Sequence, residues 1–290
     1  MPEIRNKIIL CGGDRREQEL YHSWNKKGAL IRAAGFEQIP EMAEAGESDF
    51  REAAVLIAPP SGIREKGVIR APFAGHRLTI DYCLQKAPPG VILLAGAVAA
   101  PLREYLARRT KLVVTGADEE LALLNAVPTA EGAVQRAMEL SPVTIHGSSI
   151  LIFGLGRCGR ALARALRGLG ARVTAVVRRR ESAAEAFSMG LASVNLAGAG
   201  EAAARSDFIF NTAPAPLLNA DLLAQVNREA VILDLAAAPG GTDFSAAEAL
   251  GLKAVLLPGL PGEVAPKTSG LILERVYRRL LKEAGGPEII

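Results

Sequence analysis

Apolar residues along the chain fall into short runs, each closed by a glycine, proline or serine turn. Longer segments with apolar positions at helical spacing separate them. The run over 7–11 ends at Gly12-Gly13, 55–58 at Pro59-Pro60-Ser61-Gly62, 91–95 at Gly96, and 112–114 at Thr115-Gly116. Each reads as a buried strand leaving through a turn, and the intervening 97–109 is long enough for about three turns of helix. The alternation returns in the second half. Strands are predicted over 149–153, 172–177, 208–211, 231–235 and 254–257. Helices are predicted over 157–169, 180–189, a short stretch near Glu201, 219–225 and 244–250. Short buried strands alternating with helices specify a parallel sheet covered on both faces. The expected fold class is therefore α/β, with two Rossmann-like doubly wound domains in series.

Two longer helical segments set the expected boundaries. Pro128-Thr129-Ala130-Glu131 reads as a helix start, because proline in the first turn forfeits no hydrogen bond and an early acid suits the positive helix end. That helix runs to Leu140 and stops at Ser141-Pro142. A second begins near Pro266-Lys267-Thr268 and carries Leu271, Ile272, Val276 and Leu280 at helical spacing. The sequence thus predicts an N-terminal substrate domain over 1–127, an inter-domain helix over 128–142 and a nucleotide domain over 143–266. A C-terminal helix over 267–290 is expected to pack back on the first domain. Two helices bracketing a cofactor domain form the usual hinge of two-domain dehydrogenases, an analogy at the level of fold.

Composition narrows the function classes. About half of the 290 residues are apolar and 22% are charged, enough for sizeable cores. A net charge of only +3, without a long basic run, argues against nucleic acid. Cys11, Cys83 and Cys158 are scattered, as expected in a reducing cytosol. No window reaches the roughly 18 apolar residues a spanning helix needs, and the N-terminal apolar stretch is too short for a signal segment. A soluble cytoplasmic protein with no membrane contact is expected. No hydrolase, metalloprotease or P-loop string occurs, and no clustered His/Cys set suggests a metal.

The most specific chemistry lies at 149–180. An apolar strand leads into Gly154-Leu155-Gly156-Arg157-Cys158-Gly159, which opens an amphipathic helix followed by a second strand. In this context G-x-G-x-x-G is a dinucleotide fingerprint: Gly154 for the tight turn, Gly156 for backbone approach to the pyrophosphate, Gly159 for helix–sheet packing. The phosphates sit on the helix N-terminus. An NAD site usually has an acid at the end of the second strand to accept from the ribose 2′-hydroxyl. Here the chain reads Val177-Arg178-Arg179-Arg180. A guanidinium suits a 2′-phosphate, so NADP is favoured over NAD, with Arg178 the first contact and Arg179 the second. Three further loops at strand ends are expected to meet the nicotinamide end: Thr212-Ala213-Pro214, Asp234-Leu235-Ala236, and the loop opening at Pro258. Each also reads as an ordinary turn.

Five strings then occur in order: CGGDRRE, NAVPTAEGA, TIHGSSILIFGLGRCG, LDLAAAPGGTDF and LLPGLPGEVAPKTSG. Together, over nearly the whole chain, they resemble the A-subunit family of dipicolinate synthase from spore-forming bacteria. The glycine turn alone is shared with S-adenosylhomocysteine hydrolases and 2-hydroxyacid dehydrogenases. The resemblance implies oxidation of a dihydrodipicolinate-type intermediate of the lysine pathway to pyridine-2,6-dicarboxylate during sporulation. It also implies a partner, a flavoprotein-like B subunit. Oligomeric state is left open, a homo-oligomer included.

Such a reaction removes a hydride and a proton from a ring bearing two carboxylates, so cations and helix N-termini are sought. Asp14 and Arg16 match the family's GGD-x-R string, with Arg15 at its variable position. Arg16 is a carboxylate holder, and Asp14 either a base or the group that orients Arg16; an equal alternative is a helix-capping Asp with exposed arginines. Ser61 is a donor to substrate or a turn serine. Lys267, with Thr268, opens the C-terminal helix and is the leading catalytic and substrate-binding candidate. Thr129 and Glu131 open the inter-domain helix, Glu131 being a second proton acceptor or a simple cap. His146 precedes the first cofactor strand and is read as structural; His22 and His76 have no supporting pattern. Asp243 is characteristic of the family and fixes its loop. Two other readings remain: a 2-hydroxyacid dehydrogenase-like oxidoreductase, whose Arg, Glu and His trio is not found, and a non-catalytic NADP-binding scaffold for the B subunit.

Overall fold

The computed structural model describes residues 7–288. The chain divides into two compact units, one taking the chain up to Asn125 and again from Pro261 onward, the other Ala126–Leu260.

The first unit holds five parallel strands, β1 (Lys7–Cys11), β2 (Ile31–Ala34), β3 (Ala53–Ile57), β4 (Ile92–Ala95) and β5 (Lys111–Val114), ordered β2-β1-β3-β4-β5. Register is fixed by central pairs such as Leu10 with Ala33 and Ile57. Its helices are α1 (Arg15–Lys26), α2 (Glu47–Arg51), α3 (Ile80–Lys86) and α4 (Ala100–Arg109). Central strands such as β4 are buried throughout, as a sheet covered on both faces requires.

A long helix, α5 (Glu119–Leu140), follows. It corrects the reading that placed a helix start at Pro128-Thr129. The true start is capped by Asp118, whose Oδ1 accepts from Leu121 N at 2.8 Å, and Glu119 and Glu120 fill the acidic first turn. Pro128 lies inside the helix. It removes one intrahelical bond, but packing of Ala130, Ala133, Val134 and Ala137 in one core and Leu121 in another holds the helix across it.

The second unit is a six-stranded parallel sheet of β6 (Ser149–Phe153), β7 (Arg172–Val176), β8 (Ala192–Val194), β9 (Phe208–Asn211), β10 (Val231–Asp234) and β11 (Lys253–Leu256). Its order is β11-β10-β9-β6-β7-β8, the Rossmann arrangement. Helices α6 (Arg157–Gly168), α7 (Arg180–Ser188), α8 (Ala199–Ala203), α9 (Ala220–Leu223) and α10 (Phe244–Ala249) cover it. On α6, Leu162, Ala163 and Leu166 form the buried stripe while Arg164 and Arg167 face solvent.

A short α11 (Leu260–Val264) leads into α12 (Pro266–Glu283), which packs on α1 through a shared core of Leu20, Tyr21 and Trp24 with Leu273, Val276 and Tyr277. This helix does not continue to 290 as expected. Gly285 takes φ +66° and Gly286 N donates back to Leu281 O at 2.8 Å, a glycine C-terminal cap. Among the described residues no helix is long and apolar enough to cross a membrane. Each sheet has one switch point, between β1 and β3 in the first and between β6 and β9 in the second. In doubly wound sheets, ligands settle outside the strand carboxyl ends at these points.

Candidate functional site

At the second switch point three glycines separate into three physical situations. Gly154 has φ +91°, and a Cβ there would fall 2.9 Å from Thr212 Oγ1. A Cβ on Gly159 would clash with the Gly154 carbonyl oxygen. Gly156, the N-cap of α6, faces open space, which leaves the backbone there open to close approach by a ligand. Outside this turn lies a cavity of about 400 Å³, lined by Gly154, Leu155 and Gly156, by Arg178 and Arg179 after β7, and by Ala213 and Pro214 after β9. A bare backbone cradle at a helix N-terminus fits a pyrophosphate. Arg157 is exposed and Cys158 half-buried beside the turn; burial raises the Cys158 thiol pKa and keeps it protonated.

Several lining residues escaped the sequence reading. Arg160 contributes to the wall, its Nε reaching Leu155 O at 3.2 Å and Glu185 at 2.8 Å. Ser182, in the first turn of α7, Leu196, Ala215 and Leu217 also line it. Arg160 follows the last glycine directly, the one signal that could have marked it.

Two expected cofactor contacts have other duties. Thr212 turns its hydroxyl onto the Phe153 and Gly154 carbonyls at 3.0 and 3.1 Å, clamping the glycine turn. Asp234 is 0% exposed and does not line the cavity. Its Oδ1 accepts from Asn211 Nδ2 and Ala236 N, both at 3.0 Å, and its Oδ2 from Gly241 N at 2.8 Å and Thr242 Oγ1 at 2.7 Å. Four donors make it the anchor of the loop after β10. Within that loop Leu235 is half-buried and Ala236 buried, while Pro258 after β11 is exposed. Asp243 caps α10 through Ala246 N, 3.0 Å away.

The first switch point is built on Gly12-Gly13-Asp14. Gly12 has φ +69° and a Cβ there would lie 2.7 Å from Arg70 O, which also accepts from Gly13 N at 2.9 Å. Asp14 caps α1 and forms a capping box with Glu17, whose Oε2 accepts from Asp14 N at 2.6 Å. Both Asp14 oxygens also take Arg16, Nε at 2.9 Å and Nη2 at 2.8 Å. Arg16 is only 6% exposed, so one edge of its guanidinium is spent on this pair.

Burial drives the Asp14 pKa up, but the Arg16 hydrogen bonds and charge outweigh it, Arg70 assists, and the net shift is downward. Asp14 thus holds Arg16 through both oxygens and caps α1, the orienting and capping roles that the sequence offered for it beside that of a base. Burial, reinforced by Asp14 and opposed by Arg16, pushes Glu17 up to about 7.

Helix α11, just before α12, abuts the same place, since a Cβ on Gly262 would lie 2.6 Å from Asp14 Oδ1. Lys267 and Thr268 are exposed in the first turn of α12, and Ser61 is exposed in the turn after β3. Thr129 and Glu131 are corrected in place: both sit mid-helix in α5, inside the second unit, rather than at a helix N-terminus. His146 is exposed and its ring lies against Gly170.

A sheet in Rossmann order with a glycine turn and cavity at its switch point defines a nicotinamide-dinucleotide domain of the dehydrogenase class. Residues 122–242 match the D-isomer specific 2-hydroxyacid dehydrogenase NAD binding domain, and residues 7–115 match the N-terminal domain of the dipicolinate synthase A subunit. The chain is 35% identical to the dipicolinate synthase A subunit of Bacillus subtilis (strain 168), over 97% of this chain and 98% of that one. The chain belongs to the family of dipicolinate synthase A subunits. The crystal structure of the family member from Bacillus halodurans superposes with a TM-score of 0.87 at 32% identity, covering 96% of this chain and 98% of the other. A Sinorhizobium meliloti transhydrogenase, at TM-score 0.69 and 15% identity over 96% and 94% of the two chains, shares the fold alone.

Proposed function

We propose that this chain is an NADP-dependent oxidoreductase that converts a dihydrodipicolinate-type dicarboxylate of the lysine pathway to dipicolinate in the cytoplasm of a sporulating cell. Its partner is a flavoprotein-like B subunit. The observation that carries the reading is a nucleotide cavity walled by Arg178 and Arg179, without an acid at the end of β7, in a chain of this family. When bound, the nicotinamide ring supplies the hydride acceptor. The chain's own residues bind and orient. Arg178 and Arg179 hold the 2′-phosphate, and the α6 N-terminus holds the pyrophosphate. In the first unit, Asp14 fixes the Arg16 guanidinium at the glycine turn, and Lys267, Thr268 and Ser61 offer exposed donors to a carboxylate.

The test mixes purified chain, NADP⁺ and freshly formed dihydrodipicolinate, with and without the B subunit, and follows dipicolinate by its ultraviolet absorbance. Turnover that requires this chain, and falls at least about tenfold in Lys267→Ala with NADP affinity unchanged, supports the reading. A second reading, a non-catalytic NADP-binding scaffold for the B subunit, is favoured by the commitment of Asp14 to Arg16, which makes that carboxylate a weak base. Full turnover by the B subunit with a chain unable to bind NADP would establish it instead.

A further inference from the structure

Among the described residues of the first unit, the side-chain atoms buried without a hydrogen-bond partner include three from three elements: Glu17 Oε1 on α1, Thr115 Oγ1 directly after β5, and Tyr277 OH on α12. They are neighbours. Burial, then the Glu17 charge, pushes the Tyr277 pKa up, and Thr115 lies beside the Tyr277 hydroxyl without a well-aligned bond. Each orphaned polar atom costs free energy, so a group of three marks a place whose hydrogen bonding is incomplete in this state.

The charges around it do not balance either. Facing Glu17 are Asp14 and Arg16 on its own element and Tyr277 on α12; Arg70, on the segment under the glycine turn, acts on Asp14. Asp14 has the prior hold on Arg16 through two oxygens. Glu17 is therefore a second carboxyl group beside one buried guanidinium, and its proton is the cluster's most easily exchanged near neutral pH. It is also mechanically tied to the loop: it accepts from Asp14 N, and Gly13 rests directly on its side chain.

We propose that Glu17 is a proton-linked positioning residue, taking up a proton when a substrate carboxylate settles at the Gly12–Arg16 loop. The added negative charge would otherwise be the third around one buried guanidinium. A proton on Glu17 removes that excess and supplies the orphaned cluster with a further donor, while Oε2 still accepts from Asp14 N. The proton comes from solvent and no covalent bond changes. The inference rests on the reading that this loop receives a carboxylate of the dicarboxylate substrate.

The experiment is calorimetric titration of the NADP-loaded chain with pyridine-2,6-dicarboxylate, fully ionised at the pH used, in two buffers of different ionisation enthalpy. The unmodified chain takes up about one proton per dicarboxylate at pH 8, and its affinity falls by up to about tenfold per pH unit above the free-state value. Glu17→Gln, which keeps an acceptor for Asp14 N, binds without uptake and with an affinity flat in pH. Tyr277→Phe retains the uptake. As a readout needing no variant, the infrared difference spectrum of the unmodified chain gains a protonated-carboxyl C=O band on binding. Binding without proton uptake, or equal uptake in Glu17→Gln, overturns the proposal and leaves the substrate reading standing. Failure of the dicarboxylate to bind at all overturns both.

Discussion

Arg178 follows directly from strand-end chemistry, and the structure puts its exposed side chain on the nucleotide wall beside Arg179. A forked pair with a phosphate is worth about 1.5–3 kcal/mol. Arg178→Asp should therefore weaken NADP binding by roughly tenfold to a hundredfold while leaving NAD within about threefold, measured by fluorescence titration of both. Equal losses for the two cofactors would remove Arg178 from the 2′-phosphate. Other residues were less legible. Asp234 stands in a motif that reads as a cofactor loop, yet which way a carboxylate turns depends on donors brought in later, from Gly241 and Thr242 and across the sheet from Asn211. No local spacing reveals that. Glu17 was readable in principle, because Asp14-x-x-Glu17 is the spacing of a capping box. Its burial was not, since the helix that covers it, α12, comes from the far end of the chain and meets α1 only in three dimensions.

At the level of elements, local pattern sufficed where a strand carries a continuous apolar run and failed where a short strand is interrupted by a polar residue, as by Arg32 in β2 and Ser193 in β8. The central strands β6 and β9 coincide with their apolar runs, whereas β2 and β8 were missed. Both are sheet edges, and sequences such as Ala192-Ser193-Val194 need no continuous apolar run there. Helix α5 was truncated by the usual force of proline as a boundary, which long-range packing overrode. The β6–α6 turn was readable to the residue and yields a sharp contrast between two glycines. Gly156→Ala adds a methyl group to open space at φ −79°, so the fold should tolerate it at a cost of about 1 kcal/mol as an N-cap change, while NADP affinity falls at least about tenfold because the methyl blocks the pyrophosphate. Gly159→Ala drives a Cβ into the Gly154 carbonyl and should lower the melting temperature of the chain even without cofactor. Thermal melts with and without NADP separate the two. A Gly156→Ala chain that binds NADP normally would mean the pyrophosphate lies elsewhere.

Over the whole molecule, strand–helix alternation announced two α/β units, but not the strand orders, which depend on pairings between distant segments. Those orders give each unit its own switch point, and each sheet is flanked by its own pair of hydrophobic clusters, so each loop set rests on an independent core. Ligand protection should therefore be separable. A ligand that binds only the native state stabilises it by about 2.7 kcal/mol at a hundred times its dissociation constant, and the amides nearest the site gain most against local opening. Hydrogen exchange of the chain with NADP alone should slow at 154–160, 178–182 and 213–217, the segments lining the cavity. Adding pyridine-2,6-dicarboxylate to the NADP-bound chain should then slow exchange at 12–17 and 59–62, around the Asp14–Arg16 pair and Ser61. Dicarboxylate protection confined to the second unit would show that the first switch point holds no substrate. The Arg16–Asp14 pair would then be only the cap that starts α1.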